Sequence, residues 1–423
     1  MRIGIILPAF CLAAIFIPAA VPASGAAETV VKVADDASLR AALHGARAGT
    51  RIAIAPGRYR PGIWVENLHG TAERPIVIEG ADPTRPPLFE GGREAWHLSN
   101  CSHVTLRNVA VRGQSGNGIN VDDGGTFDTP SHHIVLEAIR VTDIGPRGNH
   151  DGIKLSGVVD FVVRRCHIEG WGGQAVDMVG CHRGLIEECT FQGKDGFSAT
   201  AGPQAKGGSS QITVRRCLFR DAGSRAMQAG GSTGLQFFRP QGARYEAKDI
   251  TVEGCVFIGS DAAVAFVGVD GAVFRYNTIY RPRRWILRIL QETTEPGFVP
   301  CRNVRFEHNL IVFRHSEVRA PVNIGPNTAP KSFVFANNFW YCEDRPAASR
   351  VPLPTAERGG VYGVDPRLAA PAEGLFQPRE PRASGFGATA CPQPGDAALF
   401  RGSGQGAPGP RYQQTDAGGI RPF

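Results

Sequence analysis

The sequence predicts an all-β solenoid: short strands stacked coil upon coil, with one short helix covering the N-terminal end. Three observations carry this. Between Arg147 and Gly234 one pattern recurs three times: a short strand (Gly-Ile-Lys-Leu, Ala-Val-Asp-Met or Ala-Met-Gln-Ala), a glycine turn, then a second strand such as Phe-Val-Val-Arg-Arg-Cys-His-Ile. A repeat of fixed supersecondary content is the mark of a solenoid. The second strands align along the chain on one column of small residues. The 53 glycines and 31 prolines fall at turns between short β-rich runs, not in one linker, so the 423 residues read as one long domain.

The chain opens with Arg2, an apolar run broken by Pro8 and Pro18, and small residues at Ser24 and Ala26. Residues 1–26 read as a secretory signal. The run is short for a span of about 20 apolar residues. The mature chain is therefore expected to carry no membrane span and to be periplasmic or secreted. Its removal takes Cys11 and leaves nine of ten cysteines. The solenoid is expected over residues 27–400. Leu39, Ala42 and Leu43 stand at helical spacing and predict a capping helix over 37–47. Ile52, Ile54, Ile63, Val65, Ile76 and Ile78 then alternate with other residues around Pro-Gly turns, as strands do.

From His103 onward the column of the second strands reads Asn108, Ala138, Cys166, Cys189, Cys217, Cys255, Asn277, Asn309 and Asn338. The steps are 30, 28, 23, 28, 38, 22, 32 and 29 residues, so the longest loop lies between Cys217 and Cys255. Parallel strands sit about 4.8 Å apart, close enough for an asparagine to bond its copy in the next coil. Cysteine packs there as a small buried residue. Parallel Cβ vectors favour stacked free thiols over bridges. With no Cys-x-x-Cys pair, no metal is assigned. Residues 401–423 have little to bury and read as a flexible tail.

The net charge of +7 suits an acidic partner such as a polyuronide or sulfated glycan. No nucleic-acid-binding motif is present, so no nucleic-acid partner is expected. Nothing in the chain asks for a second copy, and a monomer is expected.

In the first strand of each coil, alternate residues point outward. Aligning these strands gives one outward column, Asn120, Lys154, Asp177, Gln204, Gln228, Ala265 and Arg288. A second, two residues on, reads Asp122, Ser156, Val179, Lys206, Gly230, Val267 and Leu290. Polar groups crowd the middle coils, and the columns then turn partly apolar. This contrast locates a candidate site between about residues 117 and 230. Asp177 is expected to stack on Lys154. In Asn-His-Asp-Gly-Ile-Lys, His150 is a candidate acid or base with Asp151 to orient it. Trp171, Phe237, Phe238, Tyr245, Trp285 and Trp340 are candidate sugar-stacking surfaces.

The opening SLRAALHGARAGTRIAIAPGRYRPGIWVENLHGTAERPIVIEG resembles the cap and first coils of the chondroitinase B and alginate lyase group, polysaccharide lyase family 6. Residues 361–388, VYGVDPRLAAPAEGLFQPREPRASGFGA, resemble the closing segment of such proteins. The resemblance implies a right-handed parallel β-helix of the pectate-lyase type. It implies β-elimination on a uronic-acid polymer. That reaction needs a base for the C5 proton and positive charge on the sugar carboxylate. In this family the base is a lysine at a strand end before a small-residue turn. Ala-Lys-Gly-Gly-Ser-Ser is similar at Lys206, which a cationic setting would activate. Arg225, 19 residues on, is the candidate partner for the substrate carboxylate, in place of the family's Arg-His-Gly strand end. Lys154, Asp177, His150, Asp151, Gln204 and Gln228 are the candidate substrate-binding residues. The family often binds Ca2+ through acidic residues just before the lysine; here Ser198-Ala199-Thr200-Ala201 stands there, and the expected ligands are absent. A non-catalytic glycan-binding or envelope β-helix is the alternative reading. A C5-epimerase, or a glycoside hydrolase with its two carboxylates, stands behind it.

Overall fold

In the computed structural model, residues 29–318 and 320–392 are described. The signal segment 1–26 with Cys11, and the tail 401–423, lie outside them. The strands form three long parallel sheets of 12, 10 and 12 strands. The first sheet runs from Thr29–Val33 to Val334–Ala336, the second from Ile63–Glu66 to Val322–Ile324, and the third from Arg58–Tyr59 to Val361–Tyr362. Each coil visits the second, first and third sheet in turn. One coil reads Ala201–Lys206, Ser209–Arg215, Leu218–Arg220, and the next begins at Arg225–Gly230. Within these sheets each strand pairs in parallel with its counterparts in the adjoining coils, which is a parallel β-helix, right-handed as crossovers between parallel strands are; Leu368–Ala370 and Leu375–Pro378 form a separate antiparallel pair.

Alternation decides what faces the axis. In Ser209–Arg215, Ile212 and Val214 are buried while Thr213 and Arg215 face out. Inside, Phe191, Phe219, Phe257, Phe274 and Phe306 stack with neighbouring ring centroids 5.1, 4.3, 5.5 and 5.1 Å apart. The turn from second to first sheet is tight. Gly207 and Gly208 both have positive φ, and a Cβ on Gly208 would lie 2.5 Å from the Arg239 carbonyl oxygen.

The inward column is built as the sequence suggests over most of its length. Asn309 Oδ1 accepts from the Asn277 backbone N–H at 2.9 Å and Asn338 Oδ1 from that of Asn309 at 3.0 Å. Asn277 Oδ1 accepts from Cys255 N–H at 3.0 Å, and Glu357 ends the ladder at Asn338. Cys166, Cys189, Cys217 and Cys255 continue it as free, buried thiols. The first two coils correct the reading. Glu137 pairs with Arg164 and with Arg107, so Val109 and Ile139 are the inward residues. Asn108 and Ala138 instead hold the left-handed turn position just before, with φ of 53° and 51°. Arg165, Glu188 and Arg216 hold it in later coils. Asparagine suits either place, so composition alone slips the alignment by one.

Helix α1, Asp36–Gly45, covers the N-terminal end. It buries Leu39 and Leu43, and Asp35 and Ser38 close a capping box. At the other end, residues 365–391 turn back along the outside of the third sheet. Phe386 packs on Phe339, Phe376 on Tyr280, and Ala388 N–H bonds Thr278 Oγ1 at 3.0 Å.

The outer face of the first sheet carries a self-compensating column. Glu79, Arg107, Glu137, Arg164, Glu187, Arg215, Glu253, Arg275 and Glu307 follow one another in register. Opposite charges on adjacent strands stabilise each step modestly.

Candidate functional site on the second sheet

The second sheet is different. Its outward column reads Trp64, His97, Asn120, Lys154, Asp177, Gln204, Gln228, Ala265, Arg288 and Asn323. The register expected from the sequence holds from Asn120 to Arg288. No alternation of charge makes this face self-sufficient. A second outward side chain, three residues earlier where each strand begins, partners the column residue in several coils. Glu94 Oε2 lies 3.1 Å from His97 Nδ1, and Asn117 Nδ2 donates to Asn120 Oδ1 at 3.0 Å. Lys154 Nζ reaches Asp151 Oδ2 at 3.3 Å, and Arg225 Nη1 donates to Gln228 Oε1 at 2.8 Å. The Arg288 guanidinium stacks 4.2 Å over Trp285.

The centre is a charge cluster from three consecutive coils. Asp177 is fully buried. Its Oδ2 accepts from Lys154 Nζ at 2.6 Å, and Lys206 Nζ lies 3.0 Å from its Oδ1. The second contact is an ion pair rather than an aligned hydrogen bond, since Oδ1 lacks a hydrogen-bond partner. Burial raises the Asp177 carboxyl, but the charges of Lys206 and Lys154 outweigh it and hold the group below its ordinary value. Burial likewise lowers the Lys154 ammonium, and Asp177 and Asp151 overcome this and raise it. Asp151 is the other buried carboxyl; burial first and repulsion from Asp177 second push it up. Its Oδ1 accepts from Gln174 N–H at 2.8 Å.

Beside this cluster opens a polar cavity of about 320 Å³, lined by Arg93, Glu94, Asn117, Asn149 and His150 among others. His150 Nδ1 is buried without a partner among the described residues. Asn117 joins cavity to cluster: its Oδ1 accepts from Asp151 N–H at 2.8 Å. Towards the N-terminal end, His97 Nε2 lies 2.6 Å from Asp122 Oδ2, and Trp64, 58% exposed, stacks on the His97 ring at 3.8 Å.

The structure brings Lys154, Asp177, Lys206 and Asp151 together, with His150 at the adjoining cavity. It does not bring Arg225 to Lys206. They stand on neighbouring strands but at opposite ends, five positions apart, roughly 16 Å along the strand. Arg225 is engaged by Gln228 and by Glu292 Oε1 at 3.0 Å. Gln204 and Gln228 both donate to the Gly230 carbonyl. His150 is not oriented by Asp151, whose two oxygens turn to Gln174 and Lys154. Lys206 sits against an anion, not among cations. Trp171, Phe238 and Trp340 are buried and offer no surface to a sugar, whereas Phe237 is 51% exposed. The column also continues upstream into Trp64 and His97, whose signal in the sequence is the same strand pattern in IWVE and AWHLS; Glu94 and Asn117 stand three residues before their column residues, where strand alternation gives no signal.

Calcium does not fit the positions that the family resemblance implies. Ser198 Oγ donates to the Gly172 carbonyl, Ala199 and Ala201 are buried, and no carboxylate stands in that stretch. Asp151 and Asp177 take lysine ammonium groups as their cations.

Glu246, fully buried, holds the turn after Lys206. It accepts from Gly207 N–H, Thr233 N–H, Thr233 Oγ1 and Thr293 Oγ1 at 2.9, 2.9, 2.8 and 2.5 Å. The same long loop sends Arg239 to Asp123, 116 residues away in sequence, in a buried two-pronged pair at 2.6 and 3.0 Å. It thus walls one edge of the second sheet across several coils.

A family model described as a right handed beta helix region matches residues 96–279. Among solved structures, the chain is similar to a rhamnogalacturonan lyase (TM-score 0.51, 13% identity, 82% of this chain and 88% of that one). It is also similar to an alginate lyase from Paenibacillus sp. str. FPU-7 (TM-score 0.46, 17% identity, 71% and 97%). A third is the PL6 family alginate lyase AlyGC (TM-score 0.46, 13% identity, 85% and 56%), of which this chain spans about half the length. No curated protein sequence matches the chain. At 13% identity the likeness to the rhamnogalacturonan lyase speaks to the fold alone, which with the matched family model is a right-handed parallel β-helix.

Proposed function

We propose that this chain is an exported, periplasmic or secreted protein that acts on an acidic polysaccharide laid along the second sheet, and that it is a lyase cleaving a uronic-acid polymer by β-elimination. One observation carries the reading: the ammonium groups of Lys154 and Lys206, on alternate coils, are aimed by the two oxygens of one buried carboxylate. They are 26% and 14% exposed, so each keeps a face for a ligand. Two fixed cations on an open strip suit the carboxylate of a uronate. β-Elimination takes the C5 proton, forms the C4–C5 double bond and expels the O4 substituent. Charge builds on the sugar carboxylate as the proton leaves, and cations already in place stabilise it without reorganising. This revises the role of Lys206 from base to charge neutraliser, because its ammonium is engaged by Asp177. The base role passes to His150 at the cavity edge, next in the chain to Asp151, with Lys154 as the cation nearer to it along the sheet. The rhamnogalacturonan lyase of similar fold is by its name a polysaccharide lyase, which agrees with this reading.

A second reading is favoured by the same ion pairs. Lysines held by a buried aspartate, with no free amine beside them among the described residues, also describe a strip that binds an acidic glycan without cleaving it.

The test is ultraviolet absorbance of the unsaturated uronate product, with purified protein on alginate, pectate, chondroitin, dermatan and heparin-like chains, plus affinity electrophoresis on the same panel. The lyase reading expects absorbance to rise with one chain and to be lost in His150→Ala and Lys206→Ala. Binding without a rise would leave the strip as a non-catalytic binder. Neither binding nor a rise would remove both readings for these glycans.

A further inference from the structure

We propose that His103, His132 and His133 form a zinc-type metal site on the first sheet, around the corner from the strip and independent of it. One ring nitrogen from each lies within 4.8 Å of the other two. The chain has 11 histidines, and these three converge from two adjacent coils.

The backbone sets the geometry. His103 and His133 occupy the same left-handed turn position in successive coils, with φ of 52° and 54°. Their rings stack at 4.3 Å, only 17° from parallel. His132 precedes His133 in the chain and meets both rings edge-on, at 5.3 and 5.1 Å. Left-handed φ is uncommon for non-glycine residues, histidine being among those that accept it; here it sets two imidazoles of neighbouring strands side by side, where His132 joins them.

His132 Nδ1 and His133 Nδ1 are 2.8 Å apart. Two unprotonated nitrogens do not sit so close without something between them. Either a shared proton or a cation fills the gap. Nitrogens on a tetrahedral metal stand about 3.3 Å apart, given metal–nitrogen bonds of about 2.0–2.1 Å. The exposed His133 ring has room to rotate out of its stack on His103, which a metal held by all three nitrogens requires. Three imidazoles suit zinc, copper or nickel rather than calcium or magnesium, which seek oxygen. Asp160 lies one coil further in this column, but its two oxygens are held by Arg183 at 2.7 and 2.8 Å. The donor set is therefore three neutral nitrogens, and the exposed side of His133 leaves a fourth position for water or an oxygen from outside. Such an open fourth position marks catalytic and ligand-exchanging sites rather than closed structural ones.

The test uses the full chain, purified without a histidine tag and stripped by chelator, with Co2+ as the probe. The site expects one equivalent bound, with the visible absorption of a tetrahedral complex that Zn2+ then displaces. His103→Asn, His132→Gln and His133→Asn should each weaken binding by about tenfold or more. Asparagine is chosen at the turn positions because it tolerates the left-handed backbone. Thermal melting without metal checks that each variant folds, and only the parent should gain stability on adding Zn2+. Absence of a cobalt complex in the parent would overturn the site and leave a hydrogen-bonded histidine pair. Unweakened binding in any of the three variants would equally overturn it.

Discussion

Asp177 is the residue on which the second sheet's chemistry turns. A buried carboxylate is costly unless its charge is met, and here Lys154 and Lys206 meet it from the coils on either side. Asp177→Asn would leave two partly buried ammonium groups facing an amide. Breaking such a cluster from one side should cost about 3 kcal/mol, read as a lower urea midpoint than the parent's. Unchanged stability would mean the lysines relax into solvent, and the cluster would lose its claim to be pre-formed. His97 carries a pH signature. Burial lowers its imidazolium, but hydrogen bonds to Asp122 and Glu94 outweigh this and raise it from an ordinary 6.5 to about 9. A folded value above the unfolded one stabilises fully at low pH. The contribution should be present below pH 6.5 and lost as pH rises through about 9. Urea midpoints across that window should fall with rising pH in the parent and stay flatter in His97→Gln.

Single strands matter through their columns. Where side chains answer one another from coil to coil, as in the charge column of the first sheet, the element supports itself. The asparagine ladder does the same inside. Asn309 accepts from Asn277 N–H and donates to the Phe274 carbonyl and to Asn338 Oδ1. Asn309→Ala would strand a buried backbone N–H and other polar groups around it, at about 3 kcal/mol. Cys189→Ala, in the same column but bonding through a weaker thiol, should cost visibly less by the same denaturation measurement. Equal losses would show that volume, not hydrogen bonding, governs the column. Much of this was legible in the sequence, because a repeated residue type at coil spacing has a physical use wherever it falls. The slip at Asn108 and Ala138 shows the limit. The inward position and the left-handed turn beside it accept overlapping residue types, and only pairing register separates Val109 from Asn108.

Over the whole molecule the three sheets divide the labour. The first balances its charges, the third is partly covered by residues 365–391, and the second keeps a strip of unlike polar groups, with a cavity where its strands begin and a loop walling the edge where they end. The coil repeat, the parallel strands, the outward register from Asn120 to Arg288 and the stacked thiols are all local consequences of period and alternation. The sequence alone determined these. What it does not contain is which side chain answers which across coils and loops. The separation of Arg225 from Lys206, the pairing of Lys206 with Asp177, and the tie of Arg239 to Asp123 depend on where along a strand a residue stands and how a long loop folds back. So does the meeting of His103 with His132 and His133, which are adjacent only because one coil lies on the next. Those choices are made by packing and by the cost of leaving buried charge unpaired, and only the tertiary structure decided them.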